Sequence, residues 1–355
     1  MATKCAICFS VSFLLPSPPY ASSSMIRGSR RLLFSSPRVC SLLPSATETL
    51  CYIAGGESLL VGRSHEDNYP LSVGDRPILT GQKTTFTTAL DVDKQVSESL
   101  SSGNSLYTLD ESMLSSLNPT VVLTQDVCSV CAIDLPTVEK VAASMISPPR
   151  IVSLNPAKLT DVLDDVSLVG NAVGLLDEAK AARSELDGRI EKVKELVASS
   201  ARGEGERPNV CFVEWPNPVY VGGHWTPELI ELAGGRHPLH PAAPGGGSGA
   251  SFPVTPEAVV ESDPDLIIVC PCGLDLKATR REVGEMAKHD WWNSLRAVKA
   301  GKVVLVDGDA MFNRPGPRLV DAAEWLAELF HGLEWTKNFP AEWLDGTRDA
   351  DKIFS

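Results

Sequence analysis

The chain has 355 residues, 43% of them hydrophobic, and a formal net charge of −13. That length is enough for two domains, and no apolar run reaches the roughly 18 residues that a membrane-spanning helix needs. An acidic surface of this size repels phosphate backbones, so it argues against a nucleic-acid partner.

Residues 1–37 are rich in serine and arginine. Up to residue 47 the chain carries five basic groups (Lys4, Arg27, Arg30, Arg31, Arg38) and no acidic one. This is the composition of a transit peptide to chloroplast or mitochondrion. The apolar run at 5–15 after Lys4 also passes for the core of a secretory signal, which keeps secretion as the alternative, and Met25 can serve as a second start. Nine cysteines, an odd number in a long chain, do not resemble a disulfide framework and fit a reducing compartment.

Residues 38–43 read as a buried strand, Pro44 and Ser45 turn it, and 47–54 read as a helix stopped by Gly55 and Gly56. A short strand at 59–62 leads into the turn SHEDNYP, 64–70. The stretch NPTVVL at 118–123 is a short loop feeding an apolar strand, and 150–154 is a third strand. A short helix over 159–174, capped by Thr160, leads into a longer one from 177 to about 200. In the longer helix Ala179, Ala182, Leu186, Ile190, Val193 and Val197 recur every three or four residues, with charged residues between them. Asp177 is expected to cap it, Glu178 suits its positive end, and Gly203 lies just past its finish. Gly188 costs roughly 1 kcal/mol against alanine, so packing has to hold the middle. At about 1.5 Å per residue this is a rod of roughly 35 Å.

Beyond the rod the plan repeats. A strand at 210–214 precedes a Pro/Gly-rich loop and a helix at 226–233 stopped by Gly234 and Gly235. DPDLIIV at 263–269 matches 118–123, and the strand 302–306 matches 150–154. Three landmarks in the same order on both sides indicate an internal duplication. Residues 241–251, which contain PGGGSG, read as a flexible surface loop. A helix over 318–333 closes the second half, and the tail from 335 to 355 has no reading.

Unbroken apolar strands alternating with helices predict parallel sheets covered on both faces, hence two α/β lobes. The expected division is a targeting leader at 1–37, an N-terminal lobe at 38–158 and connecting helices at 159–203. A C-terminal lobe at 208–333 and a tail at 334–355 complete it.

Ligands of open parallel sheets bind beyond the carboxyl ends of the strands. Those ends carry SHEDNYP, TQDVCSVC, EWPNPVYVGGHW, CPCG and DGDAMFNRPGPR, five loops expected to face one cleft. Trp215, Tyr220, Trp225 and Phe312 suit a large, flat, partly apolar ligand, each ring being worth ~4–6 kcal/mol by area as an upper bound. Alternatively these rings pack within their own loops. Cys128 and Cys131 form C-x-x-C, and Cys270 and Cys272 form C-x-C, at matching strand ends. Four thiolates meeting across the cleft can hold zinc or an iron–sulfur cluster. They can equally be small buried residues capping two strands, or a redox pair in the first lobe. His65 and His224 sit in cleft-facing loops and are candidate metal ligands or plain hydrogen-bonding residues. His237, His240, His289 and His331 are expected at the surface. Glu66, Asp67 and Glu214 are candidate acids or bases, but no catalytic triad spacing and no phosphate-binding glycine motif occurs.

With those loops in view, the chain resembles the periplasmic binding protein superfamily for iron chelates and cobalamin, and its cobalamin-binding branch in particular. The matching stretches are RVCSLLPSATETLCYIAGG, SHEDNYP, LTQDVCSVC, GHWTPELIELAGG, DPDLIIVCPCG and DGDAMFNRPGPRLVDAAEWL, between residues 38 and 333. The resemblance implies two Rossmann-like lobes joined by one long helix, the class III substrate-binding protein fold. It also implies a corrinoid or metal chelate held between the lobes without covalent chemistry, the stiff connector allowing only a small hinge motion. On this reading His65, Glu66, Tyr69, Trp215, Tyr220, His224, Trp225, Phe312 and Arg314 line the ligand site. The alternative is a metalloprotein or metalloenzyme that binds zinc or iron through Cys128, Cys131, Cys270 and Cys272. Members of the family that deliver to a membrane transporter dock through glutamates on the lobe rims. Here Asn313 stands just before the arginine and the rim at 86–91 has no glutamate, which weighs against transporter docking.

Overall fold

The computed structural model describes residues 36–103, 105–126, 133–200, 203, 206–334 and 339–346. The first half builds strand β1 (Val39–Ser41), helix α1 (Pro44–Tyr52) and β2 (Leu60–Gly62). A small antiparallel pair, β3 (Thr80–Gln82) and β4 (Tyr107–Leu109), flanks α2 (Ala89–Ser101). Next come α3 (Glu111–Leu117), β5 (Val121–Thr124), α4 (Leu135–Ser144) and β6 (Arg150–Ser153). Strands β2, β1, β5 and β6 lie in that order, all parallel, as their unbroken apolar runs predict.

Two helices follow, α5 (Leu159–Val173) and α6 (Leu176–Ser199). The apolar stripe of α6 is buried from Ala179 through Val193. It packs against α5 on one side and against α12 (Arg318–His331) of the second half on the other. Polar contacts follow the same two-sided pattern. The Tyr52 hydroxyl donates to Glu185 at 3.0 Å, and Arg189 reaches Glu324 at 2.8 Å and also Asp321. The starts of both helices differ from expectation. Lys158, not Thr160, precedes α5, and neither it nor Leu175 before α6 offers a side-chain cap. Asp177 lies inside the first turn of α6, where it complements the dipole; the far end falls where expected, with Ser200 in extended backbone and Gly203 beyond it.

The second half holds β7 (Val210–Pro216), β8 (Val219–Val221), α7 (Thr226–Leu232) and β9 (Phe252–Pro253). It continues with α8 (Pro256–Glu261), β10 (Leu266–Val269), α9 (Leu276–Met286), α10 (Asp290–Ser294), α11 (Arg296–Lys299) and β11 (Val303–Val306). After α12 comes β12 (Ala341–Trp343). The order is β12-β11-β10-β7-β8-β9, parallel only in its centre. Strands β7, β10 and β11 repeat the order of β1, β5 and β6, and the copy extends to backbone detail. Asn118 and Asp263, each just before a proline, both take positive φ, 45° and 38°.

Two parts differ from a purely parallel reading. The stretch expected as a loop after β7 turns back as an antiparallel hairpin, and the tail supplies an antiparallel edge strand. Trp343 and Phe339 of that tail are fully buried against the core. The 241–251 loop is also anchored: Gly247 N–H donates to Glu228 at 2.9 Å, and the same carboxylate accepts from Leu159 N–H. One apolar cluster runs from the first sheet through α5 and α6 to α12, within a single compact unit, 36–355. Among the described residues no helix is long and apolar enough to cross a membrane.

Trp343→Ala is expected to lower the unfolding free energy by about 3–5 kcal/mol, the usual cost of deleting a buried indole, read from urea denaturation. A second test uses Asp165, buried in α5 with one oxygen lacking a hydrogen bond. Burial, then the nearby Asp161 and Asp164, pushes its carboxyl up to about 7. The folded state therefore keeps a proton that the unfolded chain releases near pH ~3.9. Its stabilising contribution is full below that value and is lost as pH rises through about 7. Asp165→Asn should match the parent in acid and become more stable than it towards neutral pH, seen in denaturant melts across that range.

Candidate functional site

The carboxyl ends of both sheets open onto one cavity of about 220 Å³. Each of the five strand-end loops contributes to it: Glu66, Gln125, His224, Cys272 and Asp309 are one residue from each. The first turn of α1 adds Pro44 and Ser45, and β4 adds Tyr107. Two glycines let the loops meet. A Cβ on Gly308 would sit 1.7 Å from the Pro271 carbonyl oxygen, and one on Gly223 would sit 2.3 Å from Ser251 N.

The aromatic residues divide into those that face the cavity and those that do not. Trp225 lines it, with its indole N–H donated to the Phe312 carbonyl at 2.7 Å and its ring stacked on His224 at 5.3 Å. His224 has positive φ, 54°, which turns its ring inward, and burial together with nearby His240 holds its imidazole below the usual range. Phe312 forms the back wall, edge-on to Phe212 at 4.9 Å and sealed from solvent. Trp215, Tyr220, Tyr69 and His65 do not line the cavity. Trp215 and Tyr220 sit opposite each other on the β7–β8 hairpin. The Trp215 indole donates to Ala89 O at 3.2 Å, across the gap between the halves. Tyr69 lies under the Arg318 guanidinium at 4.2 Å. The ring of His65 is turned away, Nδ1 bonded to Thr80 Oγ1 at 2.8 Å and Nε2 sealed.

The cysteines likewise separate. Cys128 and Cys131 lie outside the described residues. Cys272 lines the cavity, whereas Cys270 is fully buried with its thiol pushed well up by burial and contacted by the Asn313 amide at 3.5 Å. Among the described residues no three His, Cys, Asp or Glu side chains converge as a metal site. His237 is a correction to the surface expectation. It is buried beside β7, where an isolated bridge joins Asn209 to Arg236, and desolvation pushes its imidazole down to about 3.

Local pattern gave no sign of the clamp that closes the cavity. Arg314, from the loop after β11, bonds Glu48 at 3.2 Å, Asn68 Oδ1 at 2.6 Å, Glu66 O at 3.0 Å and Asp309 at 3.0 Å. Arg318 donates through Nε to the other Glu48 oxygen at 2.7 Å. Asn68 in turn donates to Asp309 at 2.7 Å. Glu48, Glu66 and Asn68 belong to the first half, and Asp309, Arg314 and Arg318 to the second. A second strap joins the start of α2 to α9 and β7. Ala89 N–H donates to Glu282 at 3.1 Å while its carbonyl accepts from Trp215. Arg281 donates to Thr87 O at 3.3 Å and lies over the Phe86 ring at 4.9 Å.

Burial raises the carboxyls of Glu66, Glu214 and Asp309 above the usual carboxylate range. Asp67, just beneath the cavity wall, is pushed to about 7 by burial despite accepting from the Thr47 hydroxyl at 2.5 Å. Glu48→Gln keeps the shape but leaves the buried Arg314 and the half-buried Arg318 guanidiniums facing a neutral amide. It should cost about 3–5 kcal/mol of stability in chemical denaturation, as breaking a buried ion pair from one side does.

A model of the periplasmic binding protein family matches residues 73–310. Among solved structures, a periplasmic haem-binding protein from Pseudomonas aeruginosa superposes with a TM-score of 0.61 at 18% identity, covering 83% of this chain and 92% of that one. The periplasmic vitamin B12 binding protein BtuF of Vibrio cholerae gives 0.57 at 18% identity, covering 82% and 95%. The periplasmic haem-binding protein RhuT from Roseiflexus sp. RS-1, in apo form, gives 0.60 at 21% identity, covering 83% and 97%. No curated protein sequence gives a significant match. With two duplicated α/β halves on a helical spine and a cavity where their strand ends meet, the chain belongs to the periplasmic binding protein family.

Proposed function

We propose that this protein holds a cobalamin-like corrinoid, or a related metal chelate, in the cleft between its halves and performs no covalent chemistry on it. One observation carries the reading. All five strand-end loops converge on a single cavity that combines an apolar and aromatic surface, from Leu43, Leu154, Trp225 and Phe312, with polar groups such as Gln125, Glu66 and Glu214. Apolar surface with placed polar groups is what a broad, flat ligand with a polar rim buries against. The family consists of substrate-binding proteins, and solved relatives of the same fold are described as vitamin B12 and haem binders.

The cavity of about 220 Å³ is below the ~300–1,000 Å³ usual for drug-sized ligands, so binding a corrinoid requires the halves to part. The spine of α5 and α6 stays packed in that motion, and the two straps are what must give. Direct metal binding by cysteine is the weaker reading, because Cys270 is sealed and does not line the cavity that Cys272 lines.

Absorbance titration of the purified chain with cyanocobalamin, cobinamide, haem and a ferric chelate tests the proposal. Saturable one-to-one binding of at least one of them, at micromolar dissociation constant or tighter, is expected. Silence across the whole panel would overturn it.

A further inference from the structure

A ligand's outer charge has to suit the wall that meets it. A carboxylate moved from water to face another carboxylate in a dry cleft loses hydration and gains repulsion. Among the described residues, the charged side chains lining this cavity are Glu66, Glu214, Asp309 and Arg314, with no lysine. The lone guanidinium is already committed. Arg314 is 5% exposed and gives four N–H groups to Glu48, Asn68, Glu66 O and Asp309. Four of its five N–H groups are thus engaged within the protein, and the carboxylates of Glu48 and Asp309 already balance its charge, although its position in the loop after β11 makes it the natural candidate for binding an anionic ligand. The carboxyl of Glu66, by contrast, has no hydrogen-bond partner among the described residues. Glu214 is held by Gly223 N–H at 3.3 Å through one oxygen. Burial and nearby His240 lower the His224 imidazole, which disfavours a positive charge at the aromatic wall.

We propose that this cleft selects its ligand by peripheral charge, accepting chelates rimmed with amides or amines and rejecting those with carboxylate arms, with Glu66 and Glu214 as the specificity-determining residues. An ionised glutamate accepts N–H bonds from a ligand amide, and a protonated one donates to the amide carbonyl, so either form suits an amide rim. Burial raises both carboxyls, which makes the discrimination narrow as pH falls and their charge is lost. This inference rests on the proposed binding of a corrinoid or related chelate in the same cleft.

Two matched pairs of probes test it on the purified full chain by absorbance titration. Dicyanocobinamide is set against dicyanocobyrinic acid, its counterpart with carboxylates for amides, and haem dimethyl ester against haem. The amide or ester member is expected to bind at least about tenfold more tightly than its carboxylate counterpart, a difference of about 1.4 kcal/mol. In the Glu66→Gln, Glu214→Gln double variant that gap should shrink to about threefold or less, mainly through tighter binding of the carboxylate member. Equal binding within each pair, or tighter binding of the carboxylate member, overturns the selectivity and leaves chelate binding intact. No binding of any of the four, with cyanocobalamin and the ferric chelate silent as well, overturns both readings. The wild-type comparison stands by itself if the double variant fails to fold.

Discussion

Glu48 is 1% exposed and receives two guanidiniums from the opposite half of the molecule. Burying a carboxylate is costly, and only close, well-oriented cations offset that cost. Those cations stand on the loop after β11 and on the first turn of α12, so the folded position of one half is a condition for satisfying a buried charge in the other. Glu48 lies one helical turn behind Pro44 and Ser45, which line the cavity. Closure of the cleft and neutralisation of this carboxylate are therefore the same event seen from two sides.

The arrangement has a cost for any ligand that opens the cleft. Arg314 links Glu48, Asn68, Asp309 and the Glu66 carbonyl, so moving it strands several polar groups at once. Water entering the opened cleft has to replace those bonds, as hydration does for any exposed ion pair. The strap at Ala89 is simpler, two backbone hydrogen bonds to Trp215 and Glu282, and its loss exposes less charge. The two sides of the cleft thus differ in how much each resists opening. The continuous apolar cluster through α5, α6 and α12 holds the opposite ends of that lever together.

Much of this fold could be read from local pattern, because its central elements are periodic. The stripe Ala179 to Val193 is buried as its spacing predicts, and the three repeated landmarks became β1, β5, β6 and β7, β10, β11 in matching order. Features set by distant partners could not be read this way. Trp215 and Tyr220 have the composition of a ligand loop, yet they pair across a hairpin because β7 runs on past Glu214. His237 looked like a surface residue until the Asn209–Arg236 bridge folded it under β7. Glu48, in the run TETLCY, has nothing in its own neighbourhood to announce two arginines more than two hundred residues away. Of the cavity residues, Glu66, His224, Trp225, Phe312 and Arg314 were legible from their strand-end positions, since loops at those ends meet by topology rather than by sequence.

The way the second sheet finishes has a consequence for how copies of this chain meet. Its last strands are β12 and β9, and open edges are where a foreign strand adds itself and aggregation begins. Strand β9 is two residues long and ends in Pro253, which offers no N–H to such a visitor. At the other border β12 shields β11, whose four apolar residues would otherwise be an inviting template. A chain shortened to end with α12 would uncover that template, and self-adhesion through main-chain ladders, rather than simple loss of a tail, is the hazard it would carry.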